Sequence, residues 1–253
     1  MSWSCLHLLL RDGHSIRTSR DDHALLDDAR QIVELHDRAV CRLQCSDLTG
    51  QVKIGANEEV DATQMAGILG RFKQLHPGAT IEFVVEHTEQ LVEQVAHGKL
   101  DVAVVQVDTD HVLDGDELLW TDQLCWATSR ENLFADGAVP LITFGDHCFY
   151  RPLSEPLLTA ADIDHVAAFA VSSTVSVRAA IEAGLGVGVL SSKYLGGDVI
   201  SWPRADELDA LPEVHQIART APGPRSPILD ALLSSVLDEL RRAVAEGPIL
   251  ALA

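Results

Sequence analysis

The spacing of apolar residues changes its period several times along the chain. Over residues 22–45 the sequence reads DHALLDDARQIVELHDRAVCRLQC, with apolar residues at Ala24, Leu25, Ala29, Ile32, Val33, Leu35, Ala39, Val40 and Leu43. This is close to helical spacing, and no Gly or Pro interrupts it, so it predicts one long helix. Asp21 or Asp22 can cap its start. A helix of this length with an apolar stripe packs either against a partner or onto its own domain. Gly50 ends that pattern. VKIGAN at 52–57 then reads as a strand, 62–76 as a helix stopped by Pro77-Gly78, and TIEFVVE at 80–86 as an alternating strand. A second helix is expected over 88–97 and a buried strand, DVAVVQV, over 101–107. ELLWT and QLCWAT, on either side of Asp122, read as two short strands.

A second unit of similar plan follows. PLITFG at 140–145 and HVAAFAVSS at 165–173 predict strands, VSVRAAIEAGL at 175–185 a helix, and VGVLSS at 187–192 and VHQIAR at 214–219 two more strands. APGPRSP at 221–227 is loop, and residues 228–246 form an amphipathic C-terminal helix. Alternation of strand and helix is the signature of a parallel sheet covered on both faces. Two such units imply a cleft, with ligands expected beyond the C-terminal strand ends, near helix N-termini.

Charge narrows the partners. The 253 residues carry 19 Lys and Arg against 38 Asp and Glu, a net charge of −19. Residues 1–46 hold six Arg and seven acids, so almost all the excess lies after residue 46, on a surface that repels phosphate backbones. The bulk of the chain is not expected to bind DNA by itself. No apolar run reaches the roughly 18 residues a membrane helix needs, and the N-terminus does not read as an export signal. A cytoplasmic location is expected, with no membrane partner. The five cysteines, at 5, 41, 45, 125 and 148, are odd in number and widely spaced, which argues against a disulfide framework. Cys41 and Cys45 would share a helix face, as packed thiols or as a metal or redox pair. The 11 His residues form no HExxH or comparable ligand set, and no phosphate loop or Gly-x-Ser-x-Gly elbow appears. No metal, cofactor or enzyme activity is expected.

Residues 48–105 resemble the start of the effector-binding domain of LysR-type transcriptional regulators. The resemblance rests on Gly50 before the first strand, Phe72 and His76-Pro77 at the helix end, Leu91, and the strand entry Gly98-Lys99-Leu100-Asp101-Val102-Ala103. VSVRAAIEAGLGVGVLSS at 175–192 resembles that family's helix leading into a Gly-x-Gly strand. LLLRDGHSIRTS at 8–19 resembles the end of the winged DNA-binding module, and 25–39 the linker helix. The resemblance implies an α/β fold of two Rossmann-like lobes on the periplasmic-binding-protein type II plan, preceded by a long linker helix. It implies residues 1–20 as a remnant of the winged helix-turn-helix, 21–46 as the linker helix that joins protomers into a homodimer or tetramer, 50–122 with 220–246 as one lobe, and 123–219 as the other. It also implies a small-molecule effector in the cleft. DNA would be reached only through a helix-turn-helix largely missing upstream of Leu8. The wing departs from the family, with Leu10 where Phe is usual and no Gly near Asp21. The rival readings are an oligomerisation module that modulates complete relatives, an exported solute-binding protein, and an enzyme of the same fold.

The candidate effector residues sit at strand ends. Asn57, Glu58 and Glu59 follow the first strand. Two carboxylates there would oppose an anion, so either they point away or the ligand is neutral or cationic; otherwise they simply favour a helix N-terminus. Gln106 closes the strand DVAVVQV. Gly145, His147 and Cys148, with Phe149, follow PLITFG, where a thiolate–imidazole pair is not supported by any oxyanion arrangement. Arg151 is the candidate cation for an anionic ligand, or else the partner of Asp146 or Glu155. Ser172, Ser173 and Thr174 start a helix, as ligand-binding hydroxyls or as an N-cap alone. The glycines of Gly184-Leu185-Gly186-Val187-Gly188 leave a helix and enter a strand, the reverse of a dinucleotide fingerprint, and are expected to permit close backbone packing.

Overall fold

The computed structural model of the protein describes residues 9–12, 15–18, 25, 28, 32, 48–131, 137–145 and 149–245. The expected helix over 22–45 falls outside them except at Leu25, Asp28 and Ile32, which are helical. Cys41, Cys45, Asp146, His147 and Cys148 also lie outside the described residues. Strands β1 (Leu9–Asp12) and β2 (Ser15–Thr18) form an antiparallel hairpin where the sequence resembles a wing, with Asp12 opposite Ser15.

The main body repeats one pattern. Its first half runs β3 (Gly50–Ala56), α1 (Ala62–Leu75), β4 (Ala79–Val85), α2 (Thr88–Ala96) and β5 (Val102–Asp108). The chain then crosses on β6 (Glu117–Ser129). The second half runs β7 (Val139–Thr143), α3 (Arg151–Ala160), β8 (His165–Ala170), α4 (Thr174–Glu182) and β9 (Val187–Ser191). A short β10 (Val199–Ser201) pairs with β6, the chain returns on β11 (Glu213–Thr220), and α5 (Pro227–Ala245) ends the described fold. The strand order is β4-β3-β5-β11-β6-β9-β7-β8. Within each half the strands are parallel; β6 and β11 are antiparallel to their neighbours. The sheet is therefore mixed, not wholly parallel: crossing between the halves and back reverses chain direction twice.

The cores follow from the strand period of two. Along β5, Val102 and Val104 join Val52, Ile54, Met65, Ile68 and the α5 residues Ile228, Leu232, Val236 and Leu240 on one face. Ala103, Val105 and Val107 join Leu91, Val95 and Ile217 on the other. A strand buried on both faces reads as a continuous apolar run, as this one does. The second half is built around a single cluster that includes Trp126, Leu141, Leu158, Val177, Ile181 and Leu190. Here Gly186 matters: a Cβ at that position would lie 2.3 Å from the Pro140 carbonyl oxygen. The backbones of β7 and β9 can approach only because it is glycine, the close packing expected for this glycine run.

Two features differ from the sequence reading. The residues on either side of Asp122 form one continuous strand of 13 residues, β6. Asp122 does not break it because its carboxylate accepts from the Trp120 indole N–H at 3.0 Å and from Lys193 at 3.1 Å. Helix α3 occupies residues to which the sequence reading assigned no element; Pro152 sits in its first turn, where no intrahelical N–H bond is lost. Among the described residues no helix is long and apolar enough to cross a membrane.

Candidate functional site

Parallel strands deliver their C-terminal ends to the same side, and each is followed by a turn into a helix. Both halves turn this side toward one place. Asn57, Glu58 and Glu59 come from the turn after β3, whose Asp61 caps α1 by accepting from the Gln64 N–H at 2.8 Å. His87 and Thr88 follow β4, and Gln106 lies on β5. Tyr150 leads into α3, Thr174 opens α4, and Lys193 with Tyr194 follows β9.

The Glu59 carboxylate is the meeting point. Its side chain is 2% exposed. It accepts from the Thr174 hydroxyl at 3.0 Å and the Tyr194 hydroxyl at 3.0 Å, and pairs with the Lys193 ammonium at 3.1 Å. Tyr150 lies 3.4 Å from it, but that phenol has one proton and a better acceptor, Gln106 Oε1 at 2.8 Å. Glu59 thus belongs to the first half by sequence and is held by donors of the second. A buried carboxylate needs such a set, because desolvation without compensation costs several kcal/mol.

Charge and burial fix the protonation of these donors. Burial first, and Glu59 next, push the Tyr150 and Tyr194 phenols well above their ordinary value, so both remain O–H donors. Burial pulls Lys193 down, but Glu59 and Asp122 together hold it above its ordinary value. Its ammonium also sits over the Trp120 and Tyr194 rings, 5.7 and 5.2 Å from their centroids.

An outer layer orients this one. Gln216 on β11, fully buried and opposite Gln106 in the ladder, donates to Asn57 Oδ1 at 2.8 Å. Asn57 Nδ2 reaches the Thr88 hydroxyl at 3.4 Å, which also lies 3.4 Å from the Gln106 backbone N–H. Asn57, Glu58, Glu59, Thr88, Gln106 and Tyr150 line a hollow together with His87, Phe144 and Phe149. Its free space, about 10 Å³, accommodates roughly one water.

The structure therefore brings together Asn57, Glu58, Glu59, Gln106 and Thr174 of the residues expected from sequence. Ser173 caps α4, accepting from the Ser176 N–H at 3.2 Å, and Ser172 is exposed beside it. Gly145 takes a left-handed φ of 77° at the turn after β7. Arg151 pairs with Glu155 at 2.7 Å, the salt-bridge alternative among its expected roles. Sequence reasoning missed Tyr150, Lys193, Tyr194, Thr88, Asp122 and Gln216. The available signal was position: Thr88, Lys193 and Tyr194 lie within three residues of the C-terminal end of a buried or half-buried strand, and Gln216 interrupts an apolar one.

The arrangement offers hydrogen-bond donors, acceptors and an ammonium–carboxylate pair. Among the described residues no group of three or more His, Cys, Asp or Glu could hold a metal. The Cys125 thiol is pushed up to about 11 by burial, which leaves it protonated and unreactive near neutral pH.

Residues 46–241 match the family described as the LysR substrate binding domain. The chain belongs to the LysR family. The chain is 26% identical to the HTH-type transcriptional regulator PecT of Dickeya dadantii over 233 residues, 90% of this chain and 72% of that regulator. It is 25% identical to the HTH-type transcriptional regulator DgdR of Burkholderia cepacia, over 82% of this chain and 70% of that one. Among solved structures, the regulatory domain of HypT from Salmonella typhimurium superposes with a TM-score of 0.58 at 18% identity, covering 79% of this chain and 99% of that domain. The effector-binding domain of QuiR in complex with shikimate superposes at 0.55 and 15% identity, covering 77% and 99%. The periplasmic-binding-protein type II plan expected from sequence is the fold observed, and the LysR domain of this chain is the effector-binding part of a transcriptional regulator.

Proposed function

We propose that the hollow beneath Glu59 is the effector site, and that a small molecule entering it changes how the two halves are held together. The observation that carries this reading is the convergence of six strand ends on one buried polar ring, with Glu59 of one half held by Thr174, Lys193 and Tyr194 of the other. In this reading residues 50–122 with 220–246 form one lobe and 123–219 the other. The separate apolar clusters support the division on β6, where Leu119 packs with the first and Leu124 with the second; on β11 Val214 packs with the second but Ala218 already with the first, so the change of cluster there comes a little before residue 220.

The effector acts only if it binds one arrangement of the lobes better than the other. Residues 21–46 transmit the change by pairing protomers into a homodimer or tetramer. Leu25 and Ile32 support this: they are helical, seven residues apart on one face, and exposed at 47% and 68% in the single chain. Residues 1–20 belong to a winged DNA-binding module, and DNA contact falls to the helix-turn-helix rather than to the acidic domain. The protein works in the cytoplasm and reads its ligand without transforming it. The test is a thermal-shift screen of the purified chain against metabolites bearing carboxylates, hydroxyls and amines. At least one is expected to raise the melting temperature. A broad screen with no stabiliser contradicts the reading.

A further inference from the structure

The hollow has the wrong charge for a simple anion. The carboxylates of Glu58, Glu59 and Asp122 surround it or its wall, and among the described residues Lys193 is the ammonium paired within that cluster. Glu59 is already satisfied. Glu58 is not satisfied to the same degree. Among the described residues the basic side chain beside it is His87, with Nδ1 3.8 Å away, beyond hydrogen-bond distance. Burial, outweighing the help of its own backbone N–H and of His87, holds the Glu58 carboxyl above its usual range. A cation placed beside it would relieve that cost.

A second observation is independent of charge. Gln106 is 2% exposed and lines the hollow, and its Nε2 has no hydrogen-bond partner among the described residues. Its Oε1 is committed to the Tyr150 hydroxyl, which fixes the amide with its N–H groups unused. A buried donor left open costs stability unless something fills it. The remaining wall is aromatic: Phe149 and Phe144 each pack edge-on against Tyr150, at 5.5 and 5.4 Å between centroids. Aromatic walls beside a carboxylate suit an organic ammonium.

We infer that the effector is a small primary amine with an oxygen acceptor beside the ammonium, the chemistry shared by α-amino acids and amino alcohols. Glu58 receives the ammonium against the Phe144 and Phe149 rings, and Gln106 Nε2 donates to the oxygen. The free space now holds only about one water, so entry requires the side chains lining the hollow to make room. Binding and the fit between the halves are therefore coupled. This inference rests on the reading of the hollow as the effector site.

The experiment is isothermal titration of the full chain with four kinds of probe: L-amino acids; ethanolamine; propylamine, which lacks the acceptor; and acetate and propionate, which lack the amine. Amino acids alone binding would identify the oxygen as a carboxylate, and ethanolamine binding as well would identify it as any acceptor; either result supports the inference. Propylamine is expected to bind at least about tenfold more weakly than the best probe. Glu58→Gln is expected to weaken that probe by about tenfold or more, and Glu58→Asp, which keeps the charge, by no more than about threefold. Should Glu58→Gln fail to fold, Gln106→Leu tests the other contact: it is expected to weaken the best probe by about tenfold and to leave propylamine binding unchanged, and an equal effect on both would overturn the inference. Binding of the carboxylic acids but of no amine would overturn the amine class while leaving the effector site standing. Equal binding of an amine by wild type and Glu58→Gln would place that ligand elsewhere and overturn the inference. Binding of no probe overturns the inference, and a continued absence of stabilisers in the wider metabolite screen would overturn the effector reading as well.

Discussion

The two halves share one βαβαβ plan and one strand order, yet they are finished differently. In the first half both sheet faces are covered, by α1 and α5 on one side and α2 on the other. In the second, the outermost strand β8 is exposed at five of its six positions, with Val166 at 52% and Phe169 at 38%. Their contributions to the site also differ. The first half brings carboxylates, amides and the Thr88 hydroxyl; the second brings the Thr174, Tyr150 and Tyr194 hydroxyls and the Lys193 ammonium. The lesson is that a repeated topology fixes where functional residues must stand, while covering and chemistry are set separately in each copy.

The largest expected effect falls on the better-covered half. Leu232 on α5 is fully buried against β3 and β5, and Leu232→Ala should cost about 4 kcal/mol in urea unfolding. A cost under about 1 kcal/mol would mean that α5 contributes little to that core. The glycines sharpen the contrast next. Gly186→Ala drives a Cβ into the Pro140 backbone and should cost about 3 kcal/mol. Gly55→Ala meets only the ends of the Leu91 and Leu100 side chains, at 2.5 and 2.8 Å, and should cost about 1 kcal/mol. Equal costs would mean that β7 and β9 can separate more easily than their packing implies.

The element types were largely legible before the structure, because buried strands and amphipathic helices write their periods directly into sequence. Helix α3 was not: residues 151–160 were assigned no element, Pro152 and Pro156 being weak helix signals, and Leu158 packs it into the second core. The continuity of β6 was hidden because Asp122 looks like a break until Trp120 and Lys193 are seen to satisfy it. Of the site, the carboxylates after β3 were legible from their place at a strand end. Their partners were not: Tyr150 and Lys193 lie 91 and 134 residues away from Glu59, and no local pattern encodes such a meeting.

Alkaline titration gives a smaller test of the donor ring contributed by the second half. Tyr150, Tyr194 and Lys193 all hold their protons more tightly folded than unfolded. Stability should therefore be fully present below about pH 10 and fall as pH rises above the ordinary values of 10.0 and 10.5. Tyr194→Phe should flatten that fall, and an unchanged slope would count against the ring. The smallest effect belongs to the exposed edge: Val166→Lys on β8 should change stability by no more than about 0.5 kcal/mol.

Glu59 and Lys193 form an ion pair between the two halves in the buried ring, and a double-mutant cycle tests it most directly. Unfolding free energies of wild type, Glu59→Gln, Lys193→Met and the double variant should give a coupling of about 1–3 kcal/mol, the double variant being less destabilised than the sum of the singles. Additive costs would contradict the account, because they would mean that the buried carboxylate of one half and the ammonium of the other do not depend on each other.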